Sequence, residues 1–150
     1  MPESSNKLKN SITEKLTINA DFSFLESVRK VVYDSAVKFG FSDDVSHLIS
    51  LSVDEACTNL IRYAYNFDTK KKIEISISNT GNEFIVQILD NGNPFDPMEV
   101  NAPDMNKYFE EFRRGGLGIF IIRQAMDIVQ YTPSNSKNKK NILRLIKKLV

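Results

Sequence analysis

Hydrophobic positions along the chain recur with two periods, and the switches between them mark out the elements. Leu16, Ile18 and Ala20 alternate with polar neighbours, which predicts a strand over 16–22. Leu25, Val28, Val31, Val32, Ala36 and Phe39 then share one helical face, with Ser23 placed as N-cap, Glu26 three residues later and Gly40 as the stop. A second helix is predicted from Ser42, with two acids in its first turn, to about Asn66. The period returns to two at KKIEISISN (71–79), where Ile73, Ile75 and Ile77 point one way. The turn NTGN and the run EFIVQILD (83–90) complete an antiparallel hairpin.

NGNPFDP (91–97) is turn chemistry throughout, and 98–114, polar and aromatic without a period, reads as a long loop. A glycine-rich turn and an apolar helix follow over 115–131, and NILRLIKKLV (141–150) alternates as a last strand. The order β, α, α, β, β, loop, α, β predicts an α+β fold. It would be a two-layer α/β sandwich, with a mixed, mainly antiparallel sheet carrying helices on one face. Residues 1–15 lack a period and read as a polar leader to a single domain over 16–150.

Composition narrows the function more than the fold. At 150 residues, 41% hydrophobic, 26% charged and with a formal net charge of +1, the chain has the profile of a soluble domain. It offers no electrostatic case for nucleic acid as the main partner. One cysteine gives no internal disulfide, which suits a reducing cytoplasm, and no apolar run reaches the roughly 20 residues of a membrane helix. With one histidine and one cysteine, nucleophilic triads and zinc sites have little material. His47 reads as a helix-surface residue and Cys57 as a small buried hydrophobe.

Three stretches carry candidate chemistry. In VDEACTNLIRYAY (53–65) an otherwise apolar helix holds Glu55 and Asn59 one turn apart, with Ser52 and Arg62 near the same edge. A carboxylate there can accept a proton and an amide oxygen can ligate magnesium, although the pair by itself better suits a solvated helix edge. In ILDNGNPFDP (88–97) Asp90 ends an apolar strand, where it can accept hydrogen bonds from a ligand, and Gly92 allows close approach. A plain strand-ending turn would look the same. In RRGGLGIFII (113–122) glycines 115, 116 and 118 precede an apolar helix whose first N–H groups suit phosphate. It is neither a Walker motif, lacking Gly-Lys-Ser/Thr, nor a dinucleotide fingerprint, since a loop precedes it.

Taken together and in this order, the three stretches resemble the histidine-kinase-like ATPase superfamily (GHKL, the Bergerat fold). Within it the chain is most similar to the bacterial anti-sigma-factor serine/threonine kinases. The likeness spans about residues 16–149 and is carried by DEACTNLIRYAY, DNGNPFDP and RRGGLGIFIIRQAMD. It implies ATP and Mg2+ as cofactors, Glu55 as the catalytic acid-base residue and Asn59 as the magnesium ligand. It further implies Asp90 on the adenine amine, Gly92 beside the base, and Gly116, Leu117 and Gly118 at the phosphates. Arg114 would steady the terminal phosphate, and 98–114 would form a lid. The resemblance implies a cytoplasmic partner switch: a kinase that phosphorylates a small anti-sigma-factor antagonist, sequesters a sigma factor and forms a homodimer, without direct nucleic-acid or membrane contact. The competing reading is a regulatory module that binds nucleotide and a protein partner without transferring phosphate. The chain departs from the wider pattern at Pro94, at Tyr63, where many relatives carry histidine, and at Asn141, where sensor kinases often have threonine. Tyr108, Phe109 and Phe112 either anchor the lid or dock a partner.

Overall fold

The computed structural model describes residues 11–97 and 117–150. Strand β1 (Ser11–Asn19) leads through a short 3-10 turn (Phe22–Phe24) into helix α1 (Leu25–Phe39), and helix α2 (Asp43–Asn59) continues into a single π-helical turn (Leu60–Ala64). The hairpin β2 (Lys72–Thr80) and β3 (Glu83–Asp90) comes next, then helix α3 (Leu117–Ala125) and strands β4 (Ile128–Thr132) and β5 (Asn141–Lys148). The sheet order is β1-β2-β3-β5-β4. Every described pairing is antiparallel, so the mainly antiparallel sheet is as predicted but its mixed character is not among the described strands.

The alternation of the isoleucines decides which face of the sheet is covered. Ile73, Ile75 and Ile77 on β2, Phe84, Val86 and Ile88 on β3, and Leu143 and Leu145 on β5 all point to one side. There they form one core with Val28, Val32 and Ala36 of α1, Ile49, Val53 and Ala56 of α2, and Ile122 of α3. The α2 cap is the expected one, Ser42 Oγ accepting from the Val45 N–H at 3.3 Å. His47 is exposed beside Asp43, and Cys57 is fully buried with its thiol pKa pushed up by desolvation.

Three expectations need correction. Strand β1 begins at Ser11, so residues 11–15, assigned above to the leader, belong to the sheet and pair with β2 across a register shift between Ile12 and Glu14. Ser23 does not cap α1: Asp21 Oδ1 accepts the Ser23 N–H at 3.0 Å, and the chain enters through the 3-10 turn. The helix expected over 115–131 ends at Ala125. Asp127 donates its N–H to Ile146 O at 2.9 Å and accepts the Lys148 N–H at 2.7 Å, which turns the chain into β4. Ile128, Val129, Tyr131 and Thr132 are β-branched or aromatic, and an apolar run this dense satisfies either period until a partner strand chooses.

Candidate functional site

Helix α2 is the spine of the site. Glu55 is half-buried, Asn59 lies one turn on with 6% exposure, and Ala64 closes the π turn. From residue 55 to 64 the axis advances about 13 Å at 1.5 Å per residue. Two other stretches close onto opposite ends of that span. A Cβ at Gly118, in the first turn of α3, would lie 2.2 Å from Glu55 Oε2. The start of α3 thus sits directly on the carboxylate. A Cβ at Gly92 would lie 2.5 Å from the Ala64 carbonyl oxygen and 2.8 Å from the Tyr65 ring, and the Asn93 N–H donates to the same oxygen at 3.0 Å. At Gly92 the blocking atoms are backbone and glycine is required by contact; at Gly118 a Cβ would force the Glu55 side chain to move.

The π turn makes the second closure possible. Its wider winding ends with the Tyr65 N–H on Leu60 O, at 2.9 Å, and sets the Ala64 carbonyl at the helix end, facing the 91–93 turn. Tyr65 fixes that turn from below. Its buried hydroxyl accepts the Asn91 N–H at 3.0 Å, lies 3.0 Å from Asn91 Oδ1, and donates to Lys72 O. Burial pushes the Tyr65 pKa up to about 12, so the hydroxyl stays a donor. From the far side the Tyr131 hydroxyl accepts the Phe95 N–H at 2.9 Å, and the Phe95 ring stacks on Tyr63 at 4.9 Å.

Asp90 is 3% exposed, and among the described residues only its Oδ1 is bonded: it accepts from Asn141 Nδ2 and from the Gly92 N–H, both at 2.9 Å. Asn141, fully buried opposite Asp90 in the β3–β5 register, also donates to Gly92 O at 3.0 Å and accepts the Ser134 N–H at 2.8 Å. Its amide orientation is therefore set by two acceptors and one donor. The second Asp90 oxygen has no bond among the described residues and is chemically able to accept from an N–H donor. Desolvation raises the Asp90 pKa, opposed by the bonds from Asn141 and Gly92 and by the Lys140 charge.

Glu55 is raised mainly by burial and then by the neighbouring Asp54 carboxylate, which pairs with Arg29 at 3.3 Å, while Arg62 lowers it. A carboxylate shifted up in this way is a better base for a hydroxyl proton at neutral pH. Asn59 Nδ2 is buried without a hydrogen-bond partner among the described residues. A buried amide with an unspent atom is rare unless a ligand completes it. Rotating the amide would present its oxygen instead. Among the described residues no cluster of three or more His, Cys, Asp or Glu could hold a metal on its own.

The sequence-predicted Glu55, Asn59, Asp90, Gly92 and Gly118 thus line one helix and the two turns that close on it. Leu117 opens α3, its side chain lying outside the described residues, as do Gly116, Arg114 and the whole 98–114 stretch. Ser52, expected on the same edge, is buried and donates to Leu48 O at 2.9 Å. Tyr65 and Tyr131 carry no mark in the sequence beyond an aromatic at an amphipathic position. Asn141 was marked in the sequence only as the position where sensor kinases often have threonine, with no sign of its bonds to Asp90 and Gly92.

Gly92→Ala is expected to cost about 2 kcal/mol of stability, because the clash is with backbone that cannot give way. A lowered urea midpoint with unchanged m-value would show it, and an unchanged midpoint would mean that the turn rides clear of α2.

A family model described as a histidine kinase-like ATPase domain matches residues 18–147. Curated relatives include the Serine-protein kinase RsbW of Bacillus thuringiensis (strain Al Hakam), 28% identical over 120 residues, covering 77% of this chain and 74% of that one. The protein of the same name from Bacillus velezensis is 27% identical over 127 residues, covering 81% and 78%. A chain in the crystal structure of the SiaB–SiaC complex from Pseudomonas aeruginosa shares the fold, with a TM-score of 0.64 at 15% identity over 97% of this chain and 94% of that one.

Proposed function

The chain belongs to the histidine kinase-like ATPase family, and from that premise we propose that it is an ATP-dependent serine/threonine protein kinase in a partner-switching system. Its acceptor is a small antagonist protein, and in its other engagement, as a homodimer in the cytoplasm, it holds a sigma factor. The relatives named as serine-protein kinases support the reaction class.

The observation that carries the reading is the contact between Gly118 and Glu55. It puts a phosphate-binding helix start and a base at one end of α2, while Asp90 and Gly92 wait at the other. A nucleotide laid along that helix presents its base to the free Asp90 oxygen and its terminal phosphate to Glu55. The acceptor hydroxyl oxygen bonds to the γ-phosphorus as the bond to the β,γ-bridging oxygen breaks. ADP leaves, and the hydroxyl proton passes to the Glu55 carboxylate. Little else is asked of the protein, because phosphoryl transfer depends mainly on positioning and charge. Arg114 is assigned to the terminal phosphate.

Asn59 fits magnesium. The buried atom without a partner among the described residues is its Nδ2, and with the amide rotated the oxygen would stand there as one hard ligand for an ion that takes most of its shell from phosphates and water. When bound, the ion neutralises phosphate charge. Asn59 would hold that ion one helical turn from Glu55.

The test is incubation of the chain with γ-labelled ATP and fractionated proteins of its native host. A label on serine or threonine of a small protein is expected. Label retained as ATP would replace the kinase by a module that binds nucleotide without transfer, and label released only as inorganic phosphate would make it a hydrolase.

A further inference from the structure

Asn141 makes more bonds at the Asp90 end than holding a strand in place requires. It is fully buried, opens β5 and stands opposite Asp90 in the β3–β5 register. Its Nδ2 donates to Asp90 Oδ1 at 2.9 Å and to Gly92 O at 3.0 Å, and its Oδ1 accepts the Ser134 N–H at 2.8 Å. A side-chain amide has two hydrogens, and both are spent on the protein. Asn141 has no hydrogen left to give a nucleotide.

The direction of the amide follows from its neighbours. The Ser134 N–H can only donate and the Gly92 carbonyl can only accept, so turning the amide over would break both bonds. Ser134 is itself held. Asn135 Oδ1 accepts the N–H groups of Lys137 and Asn138 at 2.8 and 2.7 Å, and the Asn135 N–H donates to Asn138 O, which closes the turn between β4 and β5. Asp90 Oδ1 therefore faces two hydrogens, one from Asn141 and one from the Gly92 N–H. Both of its lone pairs are engaged, so a proton taken up by Asp90 goes to Oδ2.

Adenine and guanine differ at the point this controls. Adenine carries an amine, a donor, at the ring position where guanine carries a carbonyl oxygen, an acceptor. An ionised Oδ2 suits the first and a protonated Oδ2 the second. We infer that Asn141 is the positioning residue of base recognition: it touches no nucleotide, keeps Asp90 Oδ1 occupied, and so makes Oδ2 the atom that selects adenine over guanine. This rests on the assignment of Asp90 to the base in the reading above. Burial raises the Asp90 pKa, and the Asn141 bond opposes that rise ahead of the Gly92 N–H and the Lys140 charge. Lys140 also pairs with Glu74 at 2.9 Å, and the Tyr65 hydroxyl beside them stays protonated.

The test is calorimetric titration of the full chain with ATP and with GTP, in magnesium, from neutral to acidic pH. The two triphosphates titrate alike, so their own protonation cancels in the ratio of affinities. The ratio is expected to favour ATP at neutral pH and to narrow as pH falls, ATP weakening while GTP does not. Asn141→Leu should weaken ATP roughly tenfold at neutral pH, leave GTP no weaker, and move the narrowing to higher pH. The wild-type series needs no substitution, so it decides the matter where the urea midpoint of the variant drops. An ATP preference constant over pH, or equal losses of ATP and GTP in a variant of matched midpoint, would make Asn141 a structural support and overturn the inference, leaving ATP binding and the kinase intact. Equal affinity for ATP and GTP at every pH would instead take Asp90 out of the base site, and the inference with it.

Discussion

Asp90→Asn is expected to remove tight ATP binding while leaving the fold as stable as before. The carboxylate offers one oxygen to Asn141 and the Gly92 N–H, and on the proposed reading the other accepts from the adenine amine. An asparagine cannot serve both sides. If its oxygen keeps the internal bonds, its NH2 faces the adenine amine, donor against donor. If its oxygen turns to the ligand, the NH2 meets Asn141 Nδ2 and the Gly92 N–H. Either way a charge-assisted bond is lost and a buried donor is left unpaired, about 2–3 kcal/mol, or about two orders of magnitude in affinity.

The sign of the pH effect follows from the same environment. Burial raises the Asp90 pKa, so its contribution to folding is present below the unfolded-state pKa and is lost as pH rises through the folded one. At neutral pH the ionised group opposes folding, and neutralising it in the variant removes no stability. ATP affinity of the wild type should fall as pH is lowered through that raised pKa. Calorimetric titration across pH, with denaturation run in parallel, checks both; unchanged ATP affinity in the variant would take Asp90 out of the base site.

Glu55→Gln should leave ATP binding near the wild-type level and reduce transfer by about 10²–10⁴-fold, the usual span for a positioned general base. Glutamine is nearly isosteric, so the close packing of Gly118 on this side chain is kept and only proton acceptance is lost. Because burial and Asp54 raise the Glu55 pKa, the acidic limb of kcat/KM should lie above the ordinary carboxylate range. Replacing Arg62 with Met should move it higher still, since Arg62 is the group that lowers it. Single-turnover rates across pH would show the displacement. A variant transferring at full rate would leave Glu55 a structural acid.

How far the sequence reached depended on whether the signal was local. The isoleucine alternation of 73, 75 and 77, the Ser42 cap and the strand ending at Asp90 are written within a few residues, and the structure has them as read. Where a distant partner decides, the pattern failed. Residues 128–132 became a strand because β5 was there to pair with them, and Ser11 entered the sheet because β2 extended that far. The roles of Asn141 and Tyr65 depend on register and on a π turn, neither of which leaves a period to count. Glu55 and Asn59 alone suited a solvated edge. The two glycines packed against their helix, Gly118 at the acid and Gly92 at Ala64, give that edge a second wall.

The central claim, that these stretches hold one nucleotide along α2, is tested most directly by a crystal structure of the chain with a non-hydrolysable ATP analogue and magnesium. The account predicts the adenine amine on the free Asp90 oxygen, the metal on the Asn59 oxygen and the terminal phosphate facing Glu55 at the start of α3. An analogue bound elsewhere, or lying along α2 with its phosphates at the Asp90 end, would contradict it.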